Sequence, residues 1–205
     1  YFIQFKLLIG NFHSFFCFRS FIEYICARLK TNQYNLLLEK SSELFIKYGV
    51  KNLTMDDVFK ELGMSKKTIY HFVENKAELV QLTMQNDLGE ERKQLEEILK
   101  SSKNSIDEMI KMISYFSNLV REFNPAVLSD LQKYYPETWD MYNAYRLEFM
   151  LNRIAQNLKN GVGQGMYRSD MNTDIISRIY IAGIDMLTNQ DFFPMKQYVF
   201  IDTYK

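Results

Sequence analysis

The sequence predicts an all-α protein, in which an N-terminal three-helix unit with a helix-turn-helix precedes a C-terminal helical bundle. Two observations lead to this fold class. Apolar residues recur at the spacing of a buried helix face through most of the chain. Only three prolines occur in 205 residues, while 47% of the residues are hydrophobic. A chain of this composition can form long helices around a sizeable core.

The first helix of the N-terminal unit is predicted between residues 31 and 48. Its inward positions follow the i, i+3, i+4, i+7 pattern, and Gly49 ends the run. We expect this helix to form the third wall of the motif that follows. The inward positions are Tyr34, Leu37, Leu38, Ser41, Leu44, Phe45 and Tyr48.

The first half of the helix-turn-helix begins at Thr54. Thr54 and Asp57 have the spacing of a capping box, which marks the start of a helix. Gly63 follows the last apolar position of that helix, where a residue in the left-handed conformation is needed. Ser65 is suited to cap the next helix. The sequence therefore predicts two short helices joined by a tight turn.

The second helix of the motif presents a polar, partly basic outer surface. Ile69 and Phe72 are predicted to point inward. A third helix opens at the capping pattern Asn75-x-x-Glu78. An ordinary helical hairpin would share the caps, but here the turn, the short second helix and its basic surface occur together. That combination is typical of a DNA-binding motif. The outward residues are Lys66, Lys67, Thr68, Tyr70 and His71.

The rest of the chain is predicted to continue as helices without an internal repeat. In the helix after residue 105, the apolar stripe consists of Ile106, Met109, Ile110, Ile113, Phe116 and Val120. The predicted helices cover residues 76–100, a span capped by Ser105-x-x-Glu108, a short span between Pro125 and Pro136, a longer span up to Gly161, residues 173–189, and a last span after Pro194.

A specific set of residues keeps an unbroken spacing from Phe45 to Leu79. The set is Leu44-Phe45, Gly49, Thr54, Val58, Leu62-Gly63-Met64-Ser65, Thr68-Ile69-Tyr70, Asn75-Lys76 and Leu79. With this spacing the stretch resembles the DNA-binding domain of the tetracycline-repressor-like (TetR) family of bacterial one-component regulators. Two positions depart from the family pattern. Phe59 replaces a usually small residue, and Phe72-Val73 replaces a variable residue followed by Phe.

The resemblance implies a repressor that binds a double-stranded DNA operator as a homodimer. Residues 31–78 would form the DNA-binding domain, and residues 79–205 the regulatory and dimerisation domain. By motif match and exposure, the side chains expected in the major groove are those of Lys66, Lys67, Thr68 and His71. Those expected to hold phosphates are Thr54, Tyr70 and Lys76, and Ser65 belongs to the same predicted DNA-binding set.

The resemblance also implies a ligand pocket and a dimer interface in the later helices. We expect a small, apolar or amphipathic ligand. The plain alternative for the aromatic residues is a helix-bundle core. The residues predicted to line the pocket are Phe116, Tyr134, Trp139, Tyr142 and Phe149. The residues predicted for the dimer face, which would be joined by 195–205, are Ile176, Ile179, Tyr180, Gly183 and Leu187.

The charge distribution gives only local support for DNA binding. The whole chain has a formal net charge of zero, and residues 31–80 contain seven Lys and seven acidic residues. Between Lys60 and Lys76, however, four Lys face only two Glu. We therefore expect weak nonspecific binding and a need for a dimer.

Residues 1–30 do not share the helical pattern of the rest. Nine of them are Phe or Tyr, and the longest uncharged run, from Leu7 to Phe18, is too short to span a membrane. We interpret this segment as upstream translation or an addition outside the fold, with a membrane-touching arm as the alternative. No stable membrane association is expected. After Pro194 only about three helical turns remain, so the last dimer helix is expected to be cut short.

No catalytic constellation is recognisable. The two histidines lie in unrelated contexts, and Cys17 and Cys26 lack a histidine cluster. Glu90-Glu91 is interpreted as a solvated helix face. We therefore expect a cytoplasmic protein that is not an enzyme and needs no cofactor or metal. The alternatives are a helical interaction protein that does not bind DNA and, with less support, an α-helical enzyme.

Overall fold

The computed structural model describes residues 13–122, 124 and 126–188, and all regular secondary structure within them is helical. The predicted all-α fold class is thereby confirmed. Residues 1–12 and the helix predicted after Pro194 lie outside the described residues. No helix in the described part of the chain is long and apolar enough to cross a membrane.

The N-terminal unit begins with a helix that is longer than predicted. α1 extends back to His13, so residues 13–30 are helical and continuous with the predicted first helix. The reason is that no glycine or proline interrupts the chain between Gly10 and Gly49, and helix propagation is favourable once a nucleus exists. Gly49 then adopts a φ of 79° and ends the helix. The bounds are α1 His13–Tyr48, α2 Met55–Leu62 and α3 Lys66–Ile69.

The remaining helices follow the predicted spans closely. They are α4 Lys76–Ser101, α5 Ser105–Glu122, α6 Ala126–Tyr134, α7 Pro136–Tyr145, α8 Leu151–Gly163 and α9 Thr173–Thr188. A π-helical turn, Arg146–Met150, joins α7 and α8 into one continuous helix. α4 is the central helix, because it packs against α1, α5 and α7. α8 packs against α5 and α9.

Two apolar cores hold these helices together. The first lies inside the N-terminal unit, where Leu37, Ile69 and Leu79 are fully buried, and α6 completes it with Val127 and Leu131. The helix-turn-helix therefore shares its core with the C-terminal bundle. The second core lies within the bundle and consists of Leu95, Met112, Met150, Ile154, Leu158 and Ile181.

The cap of α5 lies one residue earlier than predicted. Asn104 Oδ1 accepts a hydrogen bond from the Asp107 N–H at 2.9 Å, and the Asp107 carboxylate accepts one from the Lys103 N–H at 2.9 Å. The predicted cap residues, Ser105 and Glu108, are both buried. The expected Ser105-x-x-Glu108 cap is therefore wrong, because these side chains face the bundle.

A buried ion pair fixes the rotation of α5. The Glu108 carboxylate pairs with the guanidinium of Arg153 on α8. A buried carboxylate is costly without such a partner, and Arg153 supplies the partner on the side where α5 turns Glu108 inward. As a result Ile106 and Ile110, which were expected on the buried stripe, are 42% and 57% exposed.

Tyr167 ties the end of α8 to the start of α5. Its hydroxyl lies 3.1 Å from the Ser105 carbonyl oxygen and 3.2 Å from Asn157 Oδ1. Its ring rests on Gly161, where an added Cβ would lie only 2.1 Å from a ring carbon. Gly161 is therefore a packing residue that gives the tyrosine ring its space.

Candidate DNA interface and ligand cavity

Local hydrogen bonds build the turn between α2 and α3. Thr54 Oγ1 accepts from the Asp57 N–H at 3.2 Å, and the Asp57 carboxylate accepts from the Thr54 N–H at 2.8 Å. Gly63 ends α2 with a φ of 62°. Ser65 Oγ accepts from the Thr68 N–H at 3.1 Å and begins α3. The predicted capping box, glycine turn and second cap are thereby confirmed.

Three hydroxyl residues of the predicted DNA-binding set hold the motif itself together. Thr54 Oγ1 donates to the Asp57 carboxylate at 2.6 Å. The hydroxyls of Ser65 and Thr68 lie 2.8 Å apart. These hydrogen bonds close the first turn of α2 and the first turn of α3, so the three residues have a structural role before any contact with DNA.

The inward side of α3 differs from the prediction at one position. Ile69 is fully buried as expected, but the second buried residue is Val73, at 2% exposure, rather than Phe72. Phe72 is half-buried, and its ring centroid lies 5.7 Å from that of Tyr34 on α1. The unusual Phe72-Val73 pair therefore places the smaller side chain in the core and the larger one at its edge.

Phe59, the other unusual residue, supports the outer side of α3. Its buried ring contacts Tyr70 edge-on, with centroids 5.4 Å apart, while Tyr70 remains 48% exposed. The Lys66 ammonium lies 5.5 Å from the same ring and forms an exposed ion pair with Asp56 at 2.6 Å. This pairing with Asp56 raises the pKa of Lys66. Phe59 thus holds Tyr70 and Lys66 side by side.

Lys67 and His71 lie one helical turn apart on the outer side of α3. Both side chains are exposed, while Ile69 between them is buried. The Lys67 carbonyl accepts a hydrogen bond from the His71 N–H at 3.2 Å, so the helical path continues past the end of α3. This geometry presents both side chains in the direction away from the core.

Lys76 lies where the sequence interpretation did not expect it. Its ammonium donates to the carbonyl of Val50 at 2.6 Å, to that of Leu53, and to that of Lys51 at 3.4 Å. Burial lowers the pKa of Lys76, although Asp130 and Asp57 oppose this effect. The Lys76 ammonium, which was predicted to hold a DNA phosphate, instead binds backbone carbonyls of this chain. Lys76 holds the loop between α1 and α2, because backbone carbonyls of a loop that is withdrawn from water need a donor.

A partly open cavity of about 410 Å³ lies between the N-terminal unit and the bundle. Volumes of this order accommodate small organic ligands. Of the five aromatic residues predicted to line a pocket, Phe116 and Tyr142 do so. Further lining residues are Phe45, Val50, Val80, Thr83, Asp87, Glu90, Glu91, Tyr115, Val127, Leu131, Tyr145, Arg146 and Ile181.

The other three predicted pocket residues lie elsewhere. Trp139 packs against the core of the N-terminal unit. Tyr134 is 41% exposed, and Lys51 lies 5.2 Å from its ring centroid. Phe149 packs in the bundle core with Arg92 4.4 Å from its ring centroid. Their apolar character fitted both roles, and the rotation of each helix decided between them.

Acidic residues of α4 line the cavity, which the sequence interpretation missed. Desolvation raises the pKa of Asp87 to about 6, although the Ser42 hydroxyl donates to its carboxylate at 2.7 Å. Desolvation also raises the pKa of Glu91, as does the charge of Asp87. Glu90 is exposed and paired with Lys93, as expected of a solvated helix face. The prediction that Glu91 belongs to the same solvated face is wrong, because its carboxyl is desolvated. The four-residue spacing of Thr83, Asp87 and Glu91 was the sequence signal that these three side chains share one side of α4.

The cavity and the helix-turn-helix share a wall. Val50 and Val80 belong to the core of the N-terminal unit and also line the cavity, as does Val127 of α6. In addition, the Asp130 carboxylate on α6 accepts a hydrogen bond from the Lys51 N–H at 2.7 Å. A displacement of α6 would therefore also move the loop that precedes α2, through the Asp130–Lys51 hydrogen bond.

α9 has an apolar outer side. Ile175, Ile176 and Ile179 are 52%, 39% and 61% exposed, whereas Ile181 is buried in the bundle. Of the other residues predicted for a dimer face, Gly183 is half-buried, and Tyr180 is half-buried against the bundle core. The side chain of Leu187 and residues 195–205 lie outside the described residues.

Comparison with known sequences identifies the N-terminal unit. The family model described as bacterial regulatory proteins, tetR family, matches residues 37–82. The HTH-type transcriptional regulator YvaF of Bacillus subtilis (strain 168) is 26% identical over 147 residues, which cover 71% of this chain and 75% of that protein.

Solved structures have the same fold over most of the chain. A transcriptional regulator from Saccharomonospora viridis in complex with choline has a TM-score of 0.68 at 20% identity, covering 78% of this chain and 85% of its own. The regulator FadR from Bacillus subtilis in complex with stearoyl-CoA has a TM-score of 0.65 at 17% identity, covering 82% and 92%. At these identities the likeness establishes the fold.

Proposed function

We propose that this chain, whose residues 37–82 match the family model of tetR-family bacterial regulatory proteins, binds a two-fold-symmetric DNA operator as a homodimer and releases it when a small ligand enters the cavity. The observation that carries the DNA-binding part is the geometry of α3. Its buried Ile69 fixes the helix on the core, while Lys67 and His71 project outward.

The DNA contacts follow from this geometry. Lys66, Lys67, Thr68 and His71 would face base edges in the major groove, and Thr54, Ser65 and Tyr70 would lie closer to the phosphates. Lys66 must leave Asp56 or carry it along when it approaches DNA, since the two are paired in the free protein. The Asp56 carboxylate therefore weakens binding by repelling phosphates.

The dimer would form through the outer side of α9. Its exposed isoleucines, Ile175, Ile176 and Ile179, lie on one helix and would lose contact with water in a symmetric pair. Two recognition helices must lie about 34–36 Å apart to read successive major grooves. A dimer fixes that distance, and a dimer also supplies the affinity that a chain without net positive charge lacks.

The ligand would act through the shared wall of the cavity. Similarly folded regulators have been obtained with stearoyl-CoA and with choline, which supports a ligand role for this bundle. A ligand that fills the cavity would press on Val127 of α6, and the Asp130–Lys51 hydrogen bond would pass the displacement to the helix-turn-helix. A small rotation of each reading head is enough to disturb the operator spacing.

The test is selection of bound duplexes from a random pool, followed by gel shift with the selected site. We expect a two-fold-symmetric consensus. Replacing Lys67 by Ala should cost on the order of 1–3 kcal/mol on the selected site and reduce discrimination against mutated sites. The exposed Lys159 on α8 is the matched control, because Lys159→Ala makes the same change in charge away from α3. Failure to select any sequence would favour the interaction-protein alternative.

A further inference from the structure

One side of α4 carries polar groups into an otherwise apolar cavity. Thr83, Asp87 and Glu91 are spaced one turn apart, and all three line the cavity together with aromatic and aliphatic residues. The Asp87 carboxylate has the Ser42 hydroxyl as a hydrogen-bond partner. The Tyr145 hydroxyl lies beside Glu91, though without good hydrogen-bond geometry. Leu or Met at these positions would stabilise the bundle more, since buried carboxylates are costly.

The Thr83 hydroxyl is an independent indication that the cavity takes a polar ligand group, because its hydrogen-bonding capacity is unsatisfied within the described part of the chain. Thr83 is 1% exposed, lines the cavity, and its Oγ1 atom has no hydrogen-bond partner within the described residues. A hydroxyl buried in this way costs free energy that a polar ligand group or water would recover. Thr83 lies one turn from Asp87, so both would meet the same end of a ligand.

The other walls of the cavity suit the remainder of an organic cation. Tyr115, Phe116, Tyr142 and Tyr145 surround the acidic side, and aromatic rings attract cations through their negative faces. Among the described lining residues three are acidic and one, Arg146, is basic, and of the acidic residues Glu90 is exposed and paired with Lys93. The guanidinium of Arg146 lies 5.6 Å from the Tyr142 ring centroid. An anionic ligand would therefore meet a net negative lining.

We propose that the ligand of this cavity is a cationic amphiphile, a protonated or quaternary amine. Its charged end would be held by Asp87 and Glu91 and its apolar part by the aromatic and aliphatic walls. This inference rests on the proposed function only in taking the cavity as the ligand site. Binding brings a positive charge to carboxyl groups that are desolvated, so the ligand would add charge compensation to Asp87 and Glu91.

The direct test compares three probes of equal chain length by titration calorimetry with the full chain. They are octyltrimethylammonium, 1-octanol and octyl sulfate, each used far below micelle formation. We expect saturable one-site binding of octyltrimethylammonium, weaker binding of 1-octanol, and no binding of octyl sulfate. If 1-octanol or octyl sulfate binds as tightly as the cation, the proposal is overturned.

Two charge-removing variants locate the headgroup. Asp87→Asn and Glu91→Gln should each weaken octyltrimethylammonium binding by about tenfold, because a close charge pair of this kind is worth more than 1.4 kcal/mol in a partly buried site. Binding of 1-octanol should change little. The matched control is Glu97→Gln on the same helix, where the glutamate is exposed and paired with Lys100. Unchanged cation affinity in both folded variants would refute the assignment of the headgroup site.

Gel shifts with the selected operator separate this inference from the proposed function. Cation binding that depends on Asp87 and Glu91 but leaves operator binding intact would support the ligand class and contradict the regulatory role. Operator binding by a chain that does not bind octyltrimethylammonium would support DNA recognition and overturn the ligand class. Thr83→Val provides a third variant, whose effect on octyltrimethylammonium binding is expected to be small, because it removes no charge and a quaternary ammonium donates no hydrogen bond.

Discussion

Replacing Asp87 by Asn should stabilise the protein at neutral pH. Burial raises the pKa of this carboxyl from 3.8 to about 6. At about 1.4 kcal/mol per pKa unit, ionised Asp87 therefore disfavours the folded state by about 3 kcal/mol above pH 6. An asparagine keeps the acceptor for the Ser42 hydroxyl and removes the charge. Allowing for the cost of burying its amide, we expect a gain of about 2 kcal/mol.

The gain should depend on pH in a defined direction. Between pH 3.8 and about 6 the folded protein retains the Asp87 proton that the unfolded chain releases. Stability of the native sequence should therefore fall as pH rises through this window and level off above it. Asp87→Asn removes this decline. The difference between the two proteins should be near zero at pH 4 and reach its full value by pH 7.

Other titrating groups that face this cavity are present in both proteins. Their contributions largely cancel in the difference, except that Glu91 loses a neighbouring charge when Asp87 is removed. This loss lowers the pKa of Glu91 and adds to the gain in the same direction. The other titratable or charged residues of the cavity are Glu90, Tyr115, Tyr142, Tyr145 and Arg146.

Thermal unfolding at fixed protein concentration measures the effect. For a chain of this length a gain of about 2 kcal/mol raises Tm by about 4–8 °C. The control is Asp140→Asn on α7, where the carboxylate is exposed and the same substitution should leave Tm nearly unchanged. An equal Tm difference at pH 4 and pH 7, or a lower Tm for Asp87→Asn at pH 7, would refute the reasoning that this carboxylate is desolvated.

Three further predictions concern residues whose roles only the structure revealed. Lys76→Ala should lower stability by about 1.5–3 kcal/mol, because carbonyls of the α1–α2 loop lose a charged donor, and Lys67→Ala measured in the same way should not. Asp130→Ala should leave the affinity for octyltrimethylammonium unchanged but reduce ligand-induced operator release, which typically reflects a coupling of about 1–3 kcal/mol; equal release would contradict transmission through α6. Gly161→Ala should cost about 1–3 kcal/mol by displacing the Tyr167 ring, whereas Gly163→Ala, where nothing lies within 4 Å of the added Cβ, should be neutral or stabilising in thermal unfolding.

The sequence by itself determined the parts of this protein that depend on neighbours along the chain. The Thr54–Asp57 box, the left-handed Gly63 and the Ser65 cap use hydrogen bonds that span four residues or fewer. The beginning of α4 and the end of α1 have equally local causes, Asn75 and Gly49. The spacing of these signals predicted the helix-turn-helix and the family before any tertiary contact was known.

Tertiary structure alone decided which side of each helix faces the core, the cavity or solvent. Glu108 and Ile106 lie two residues apart, and the rotation that brings Glu108 to Arg153 on a distant helix leaves Ile106 exposed. Trp139 and Tyr142 are both aromatic, yet only Tyr142 reaches the cavity. Periodicity gives the angle between side chains on one helix, but not the direction of the neighbouring helices.

The same reason explains the two charged residues whose roles changed. Lys76 follows a cap and resembles a phosphate ligand in sequence, but the carbonyls of residues 50–53 lie within its reach only because α1 and α4 pack together. Glu91 adjoins Glu90 and both line the cavity, yet Glu90 is solvated and paired with Lys93, whereas the carboxyl of Glu91 is desolvated. Local sequence therefore fixed where the helices begin and end, and long-range packing fixed which of their charges are solvated and which are buried.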